Sequence, residues 1–515
     1  MSFDRPIEAA SWLTPGETCW QIAKAQRFRV LIDAAEYFGA VRAAMLRARH
    51  SIVLIGWDFD ARLELGGPEG QTGPGPLGDF ILWLADRRPG LEIRVLRWDT
   101  GALKTLFRGN TLMTVLRWKA HPQITLRLDA AHPFAGSHHQ KIVVIDDCLA
   151  FCGGIDMTIN RWDTPEHLDD DPRRVSPGGR PHDPWHDSAT VFDGAAAKAM
   201  GELARERWQR ASGDLLSPVR PETDIWPEFL TPELTDVQLA IARTIPKMSG
   251  VTPAHEVEAV VLSMIARAQQ LIFAEAQYFA SRRFAHALAE RLMEEDPPEV
   301  VLIAPHSSEG WLEPLAMDTA RARLVGALQR LDHRGRFRIY HPQTAGGKPI
   351  YVHSKLMIID DDCLRVGSSN LNNRSMRLDS ECDVILCDEL APGRGVTEMI
   401  PDLRARLLAE HLGVSPAKVK AEFLATGSLI STIEALRGAG RSLVPYELPE
   451  LSDFQGWLAD NEILDPHGPD EMFEPPGRRG LFKGWSRLKA RLHHRRSRIA
   501  HRRAMRARAK EQNLP

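Results

Sequence analysis

Residues 137–146 read SHHQKIVVID, a polar cluster that opens directly onto a run of branched aliphatic residues. The pattern is H-x-K-x(4)-D, and about 214 residues later residues 351–360 (YVHSKLMIID) repeat it, again running into aliphatic residues. One copy is weak; two copies in one chain imply an internal duplication. On an extended strand residues two apart share a face, so His139 and Lys141 project together, as do His353 and Lys355. An imidazole beside an ammonium suits phosphodiester chemistry: the neutral ring attacks phosphorus or moves a proton, and the cation offsets a phosphate oxygen.

Outward from the two motifs, the halves repeat one order of elements. Apolar positions Ala34, Phe38, Val41, Met45 and Leu46 recur at helical spacing before a buried strand at 51–59, and Val257, Val260, Val261, Met264 and Ile265 do so before a strand at 270–279. Short apolar strands at 91–97 and 299–304 come next, each leading into a helical segment. The expected fold is therefore α/β, with two similar lobes facing one another. Four prolines in 211–232 punctuate a polar stretch. The expected division is a first lobe over 1–210, a linker over 211–235, a second lobe over 236–450 and an extension over 451–515.

Composition narrows the function. Of 515 residues, 43% are hydrophobic and 26% charged, which suits a globular chain with a large core. The net charge of −3 hides a basic tail after Arg478 on an acidic body, so a general nucleic-acid binder is not expected. The six cysteines show no C-x-x-C pair or zinc spacing and read as buried thiols. No metal-ligand spacing is evident, and no cofactor is expected; the aspartates at 169–171 lack a calcium-loop pattern and read as a solvated acidic loop. The amino terminus lacks a signal-peptide pattern and no apolar run reaches a membrane span, so a cytoplasmic or peripherally attached protein is expected.

A turn follows each motif: Gly153-Gly154-Ile155-Asp156 in the first half and Gly367-Ser368-Ser369-Asn370 in the second. Glycine lets backbone approach a phosphate, which Ser368 and Asn370 could bind by donating hydrogen bonds; an ionised Asp156 could not. A reacting histidine needs its other ring nitrogen held, and Asp187 and Glu381 are the downstream candidates. The motif aspartates, Asp146 and Asp360, end their strands and read as capping residues, though they belong to the motif counted as catalytic.

These stretches resemble the phospholipase D superfamily, and the first half resembles its phosphatidylcholine-hydrolysing branch. The similar segments are GWDFD (56–60), HHQKIVVID, GGIDMTINRWD (153–163), PWHD (184–187), QYF (277–279), YVHSKLMIID and SSNLNNRSMRLDSE (368–381). The resemblance implies a pseudo-twofold pair of α/β lobes, each a mixed β-sheet flanked by helices, with one active site between them. It also implies a two-step reaction through a covalent phosphohistidine, with His139 as nucleophile and His353 as the acid that protonates the departing alcohol. It implies that Lys141, Lys355 and Asn370 hold phosphate oxygens while Asp187 and Glu381 orient the histidines, with no metal required. The expected substrate is a glycerophospholipid at a membrane surface, with water or an alcohol as acceptor; a cardiolipin synthase-type phosphatidyltransferase is the alternative, ahead of a phosphodiesterase or nuclease and of a non-enzymatic lipid-binding module. Head-group choice would lie in loops such as 163–184 and 306–311. The repeat supplies both halves of a site, so catalysis does not require a dimer. In the tail, Leu481, Trp485, Leu488 and Leu492 would align on one side of a helix among basic residues, a candidate contact with anionic membrane.

Overall fold

The computed structural model describes residues 12–67, 72–99, 111–134, 136–220, 224–308 and 317–449. The basic tail and the second half of loop 306–311 lie outside them. The first half contributes β1 (Gln21–Ile32), β2 (Ser51–Gly56), β3 (Glu92–Trp98), β4 (Ile124–Asp129), β5 (Ile142–Ile145), β6 (Leu149–Gly153), β7 (Trp185–His186) and β8 (Ser188–Asp193). The second contributes β9 (Leu234–Ile245), β10 (Ala254–His255), β11 (Leu271–Ala276), β12 (Glu299–Ile303), β13 (Phe337–Gln343), β14 (Tyr351–Val352), β15 (Lys355–Ile359), β16 (Cys363–Gly367), β17 (Glu381–Cys387) and β18 (Ser442–Pro445).

Among the described residues, 16 of these strands form one mixed sheet. The halves join where β1 pairs antiparallel with β9, in register Ala25↔Val237. Outward from that seam the order is β8-β6-β5-β2-β3-β4 on one side and β17-β16-β15-β11-β12-β13 on the other, so the duplication read in the sequence is also a duplication of topology. β18 closes the second side antiparallel to β13. In each half three strands, β2-β3-β4 and β11-β12-β13, are parallel, which requires crossover connections. Helices Leu77–Arg87 and Thr111–Ala120 lie in those of the first half, and Arg282–Leu292 and Thr319–Leu331 in those of the second.

Strands covered on both faces read as unbroken apolar runs. In β2 and β5, Val53, Ile55, Ile142 and Val144 join a core shared with Leu239, Phe273 and Val384 of the second half. Their neighbours Ile52, Leu54, Val143 and Ile145 face a core of first-half residues. In β15 the same alternation sends Leu356 and Ile358 to the shared core and Met357 and Ile359 to the other face. The shared core is what fuses the halves: each fully buried aliphatic side chain is worth about 1.5–3 kcal/mol.

Two sequence expectations shift. The strand expected over 51–59 stops at Gly56, because the backbone N–H groups of Trp57 and Asp58 turn to Asp156 Oδ1, at 2.9 and 3.3 Å. The acidic loop is held rather than solvated: Asp169 accepts from Thr344 and from the Gly346 amide (2.8 Å), and buried Asp171 pairs with Arg173 (2.6 Å). Among the described residues no helix is long and apolar enough to cross a membrane.

Candidate active site

His139 and Lys141 precede β5 rather than sitting in it, and His353 precedes β15, at whose first residue Lys355 stands. The reason is that the extended chain ahead of each motif strand pairs with the opposite half. Residues 137–139 run beside 379–381: Ser380 N donates to Ser137 O (3.0 Å) and His139 N to Ser380 O (3.0 Å). On the other side β14 pairs parallel with β7, and His353 N donates to His186 O (2.8 Å). Each exchange carries a carboxylate of one half to the histidine of the other.

The outcome is two crossed dyads. His139 Nδ1 lies 3.0 Å from both oxygens of Glu381, and His353 Nδ1 lies 2.7 Å from Asp187 Oδ2. Both carboxyls are fully buried, and burial pushes both above the ordinary carboxylate range, Glu381 well above it. Burial, with Lys141 and Lys355 nearby, holds His139 well below the usual imidazole value; burial, Lys355 and Arg161 do the same to His353. With its Nδ1–H donated to Glu381, the neutral His139 ring carries a lone pair at Nε2, whereas a His353 protonated at both nitrogens would keep Nδ1–H on Asp187 and present Nε2–H.

The lysines are buried but not equivalent. Lys141 Nζ lies 3.1 Å from Asp156 Oδ2, so it has a carboxylate partner. Lys355 Nζ donates to the neutral Gln277 Oε1 (3.1 Å) and to the His353 carbonyl. Burial brings Lys355 down to about 7, against an upward pull from Asp187. Asn370 is buried, and its Oδ1 has no hydrogen-bond partner among the described residues. Trp185 lies beside His353 (5.1 Å between ring centres) and under Arg161 (3.8 Å), while Trp57 meets His139 edge-on at 6.5 Å.

Three expected placements need correction. Ser368 does not offer its hydroxyl to the site, because it donates to Glu381 Oε2 at 2.5 Å. Gly154 makes room for Asp187 rather than for phosphate: an added Cβ would overlap Asp187 Oδ1. Asp146 and Asp360, carried in the motif's catalytic set, stay outside the cluster. Asp146 accepts from the backbone N–H groups of Arg49, His50 and Ser51 (2.7–2.8 Å), and Asp360 from those of Gln269, Gln270 and Leu271 (2.8–2.9 Å). Each thus fastens the start of its half's β2 or β11. Gln277, which sequence reasoning noted only within QYF, lies on Lys355. The fold also gathers buried histidines and carboxylates beside Asp187 that no sequence spacing announced: Asp33, His167, His186 and Glu410.

The comparisons agree with this architecture. The family model described as "Phospholipase D" matches residues 44–225, and "Cardiolipin synthase, PLD-like domain" matches 261–398. Phospholipase D1 of Schizosaccharomyces pombe is 23% identical over 75% of this chain and 35% of its own length. Phospholipase D alpha 1 of Arabidopsis thaliana is 25% identical over 72% of this chain and 63% of its own. The chain thus spans between about a third and two thirds of the curated relatives it matches. Phosphatidylserine synthase of Haemophilus influenzae Rd KW20 shares the fold, with a TM-score of 0.54 at 14% identity, covering 75% of this chain and 88% of that one. With two family models of this kind spread over its two repeats and the same fold beneath them, the chain belongs to the phospholipase D superfamily.

Proposed function

We propose that the protein is a phospholipase D, hydrolysing glycerophospholipids to phosphatidic acid and a free head group and transferring the phosphatidyl group when an alcohol replaces water. The observation that carries the reading is the crossed pair of dyads, each histidine held at Nδ1 by a carboxylate of the other half, with two buried lysines alongside. His139 Nε2 attacks phosphorus, the bond from phosphorus to the head-group oxygen breaks, and His353, which enters this step protonated at Nε2, gives that oxygen its proton. In the second step His353 takes a proton from water or alcohol, whose oxygen bonds to phosphorus as the bond to His139 breaks. Lys141, Lys355 and Asn370 bind the non-bridging oxygens, and Glu381 and Asp187 orient the rings. The reading has the protein meet the membrane peripherally from the cytoplasmic side. Liposome co-sedimentation of the full chain against a chain ending at Pro476 tests the tail's part in that contact, and equal binding to anionic vesicles removes it.

The match of residues 261–398 to a cardiolipin synthase family model supports a second reading, a phosphatidyltransferase with a glycerol-bearing acceptor. Mass spectrometry of products from mixed phosphatidylcholine, phosphatidylethanolamine and phosphatidylglycerol vesicles separates the two. Phosphatidic acid, diverted to phosphatidylethanol by ethanol and absent with His139→Ala, is the expected result. Cardiolipin with glycerol release supports the transferase, and no lipid product refutes both.

A further inference from the structure

His186, next to Asp187, belongs to a second cluster that the proposed reaction does not use. Asp33 stands where β1 meets helix Asp33–Met45, His167 lies in loop 163–184, and Glu410 projects from helix Val396–Leu412 of the second half. All four side chains are buried, and one ligand atom from each lies within 4.8 Å of the others.

Two features point to a bound cation. First, each histidine already gives its outer nitrogen to a carboxylate: His167 Nδ1 lies 2.9 Å from Asp163 Oδ2 and His186 Nε2 lies 2.8 Å from Glu275 Oε2. That outer arrangement fixes the tautomer of a metal-bound imidazole and turns the inner nitrogen's lone pair into the cluster. Second, only one inner contact, His167 Nε2 with Glu410 Oε1 at 3.0 Å, is aligned as a hydrogen bond, and the other inner atoms are poorly matched. His186 Nδ1 has Glu410 Oε1 at 2.6 Å and Asp33 Oδ1 at 3.2 Å, yet neither is aligned as an acceptor. Asp33 Oδ2 is fully buried with no hydrogen-bond donor among the described residues, and His167 Nε2 is 3.8 Å away.

We propose that Asp33, His167, His186 and Glu410 bind one divalent transition-metal ion of the zinc class. Metal–nitrogen and metal–oxygen bonds of about 2.0–2.2 Å put tetrahedral ligands about 3.3–3.6 Å apart, and the inner distances of 2.6, 3.0, 3.2 and 3.8 Å straddle that range. Two imidazoles with two carboxylates select a first-row ion over calcium or magnesium, which prefer oxygen ligands. Two extra imidazole protons would balance the same charge as one divalent ion, so charge does not choose between them; the misaligned His186 Nδ1 and the orphaned Asp33 oxygen favour the metal. The ion would tie three segments of the first half to a helix of the second. Asp33 also exchanges backbone contact with Asp187, donating its N–H to Asp187 O (2.8 Å) and accepting from Asp187 N at Oδ1 (3.2 Å). The site therefore positions the carboxylate that holds His353, without touching substrate.

This inference stands apart from the phospholipase reading. Elemental analysis of the purified full chain is expected to give about one equivalent of zinc-class metal per chain. After chelation, cobalt(II) titrated into the wild type should bind at one equivalent and develop the visible bands of a tetrahedral site. His167→Gln and Glu410→Gln should lower the metal content at least fivefold, and His341→Gln, outside the cluster, should not. Wild-type protein that holds no stoichiometric metal and gives no cobalt spectrum overturns the proposal, leaving a proton-held ionic network. Folded variants that keep the full metal content overturn it equally. The wild-type titration decides the matter if a variant fails to fold.

Discussion

Glu381→Gln probes the crossing of the two halves at its most exposed consequence. The carboxylate meets His139 Nδ1 through both oxygens at 3.0 Å and is itself held by the Ser368 hydroxyl. Glutamine keeps the shape but removes the charge, and its amide N–H₂ can turn toward the ring and displace the Nδ1 proton to Nε2, where the nucleophilic lone pair must be. A hydrogen bond to a charged group is worth about 1.5–3 kcal/mol, and each 1.36 kcal/mol on the barrier is about tenfold in rate, so kcat should fall by about 10- to 150-fold. KM should change little, since the carboxylate touches the histidine and not the lipid. The assay is head-group release from phosphatidylcholine vesicles, with protein quenched in alkaline denaturant examined for phosphohistidine at residue 139. The folded variant should give less of it, more slowly. A folded Glu381→Gln with kcat within threefold of wild type would refute the claim that Glu381 organises the nucleophile.

Lys355, brought down to about 7, is an ammonium below that pH and loses its charge as the pH rises through it. On the proposed mechanism kcat/KM falls above about pH 7, and Lys355→Arg, whose guanidinium stays charged, moves the falling limb upward in a pH–rate profile; an unmoved limb assigns it to another group. Asp146→Ala orphans three backbone amides, each costing about 1–3 kcal/mol if left unsatisfied, so calorimetry should show a clearly lower Tm while activity per folded molecule stays near wild type. An equal loss of activity at full stability would return Asp146 to the chemistry. Ser368→Ala removes one hydrogen bond to Glu381, worth about 1 kcal/mol, so kcat should drop about fivefold with KM unchanged. A raised KM with normal kcat would instead make Ser368 a phosphate ligand.

Part of this protein is written locally. The aliphatic runs after Lys141 and Lys355, and the helical spacings before the 51 and 270 strands, are short-range patterns that set strand or helix by which side chains face a core. Their repetition made the α/β duplication legible, and the two H-x-K pairs were legible because histidine and lysine stand two residues apart in each half. The partners of those pairs were not. Asp187 and Glu381 could be proposed as carboxylates, but no spacing says that Glu381 serves His139 or that Asp187 serves His353. Hydroxyl assignments failed for a similar reason: Ser368 has one proton, and only its neighbours decide whether Glu381 or substrate receives it. The sequence alone determined the duplicated α/β pattern and the two H-x-K pairs ahead of its motif strands, because those rest on patterns within a few residues. Only the tertiary structure decided which carboxylate meets which histidine and brought Asp33, His167, His186 and Glu410 together. Those contacts join residues up to 377 positions apart, and the buried core shared by β1 and β9, not any local preference, pays for bringing them into reach.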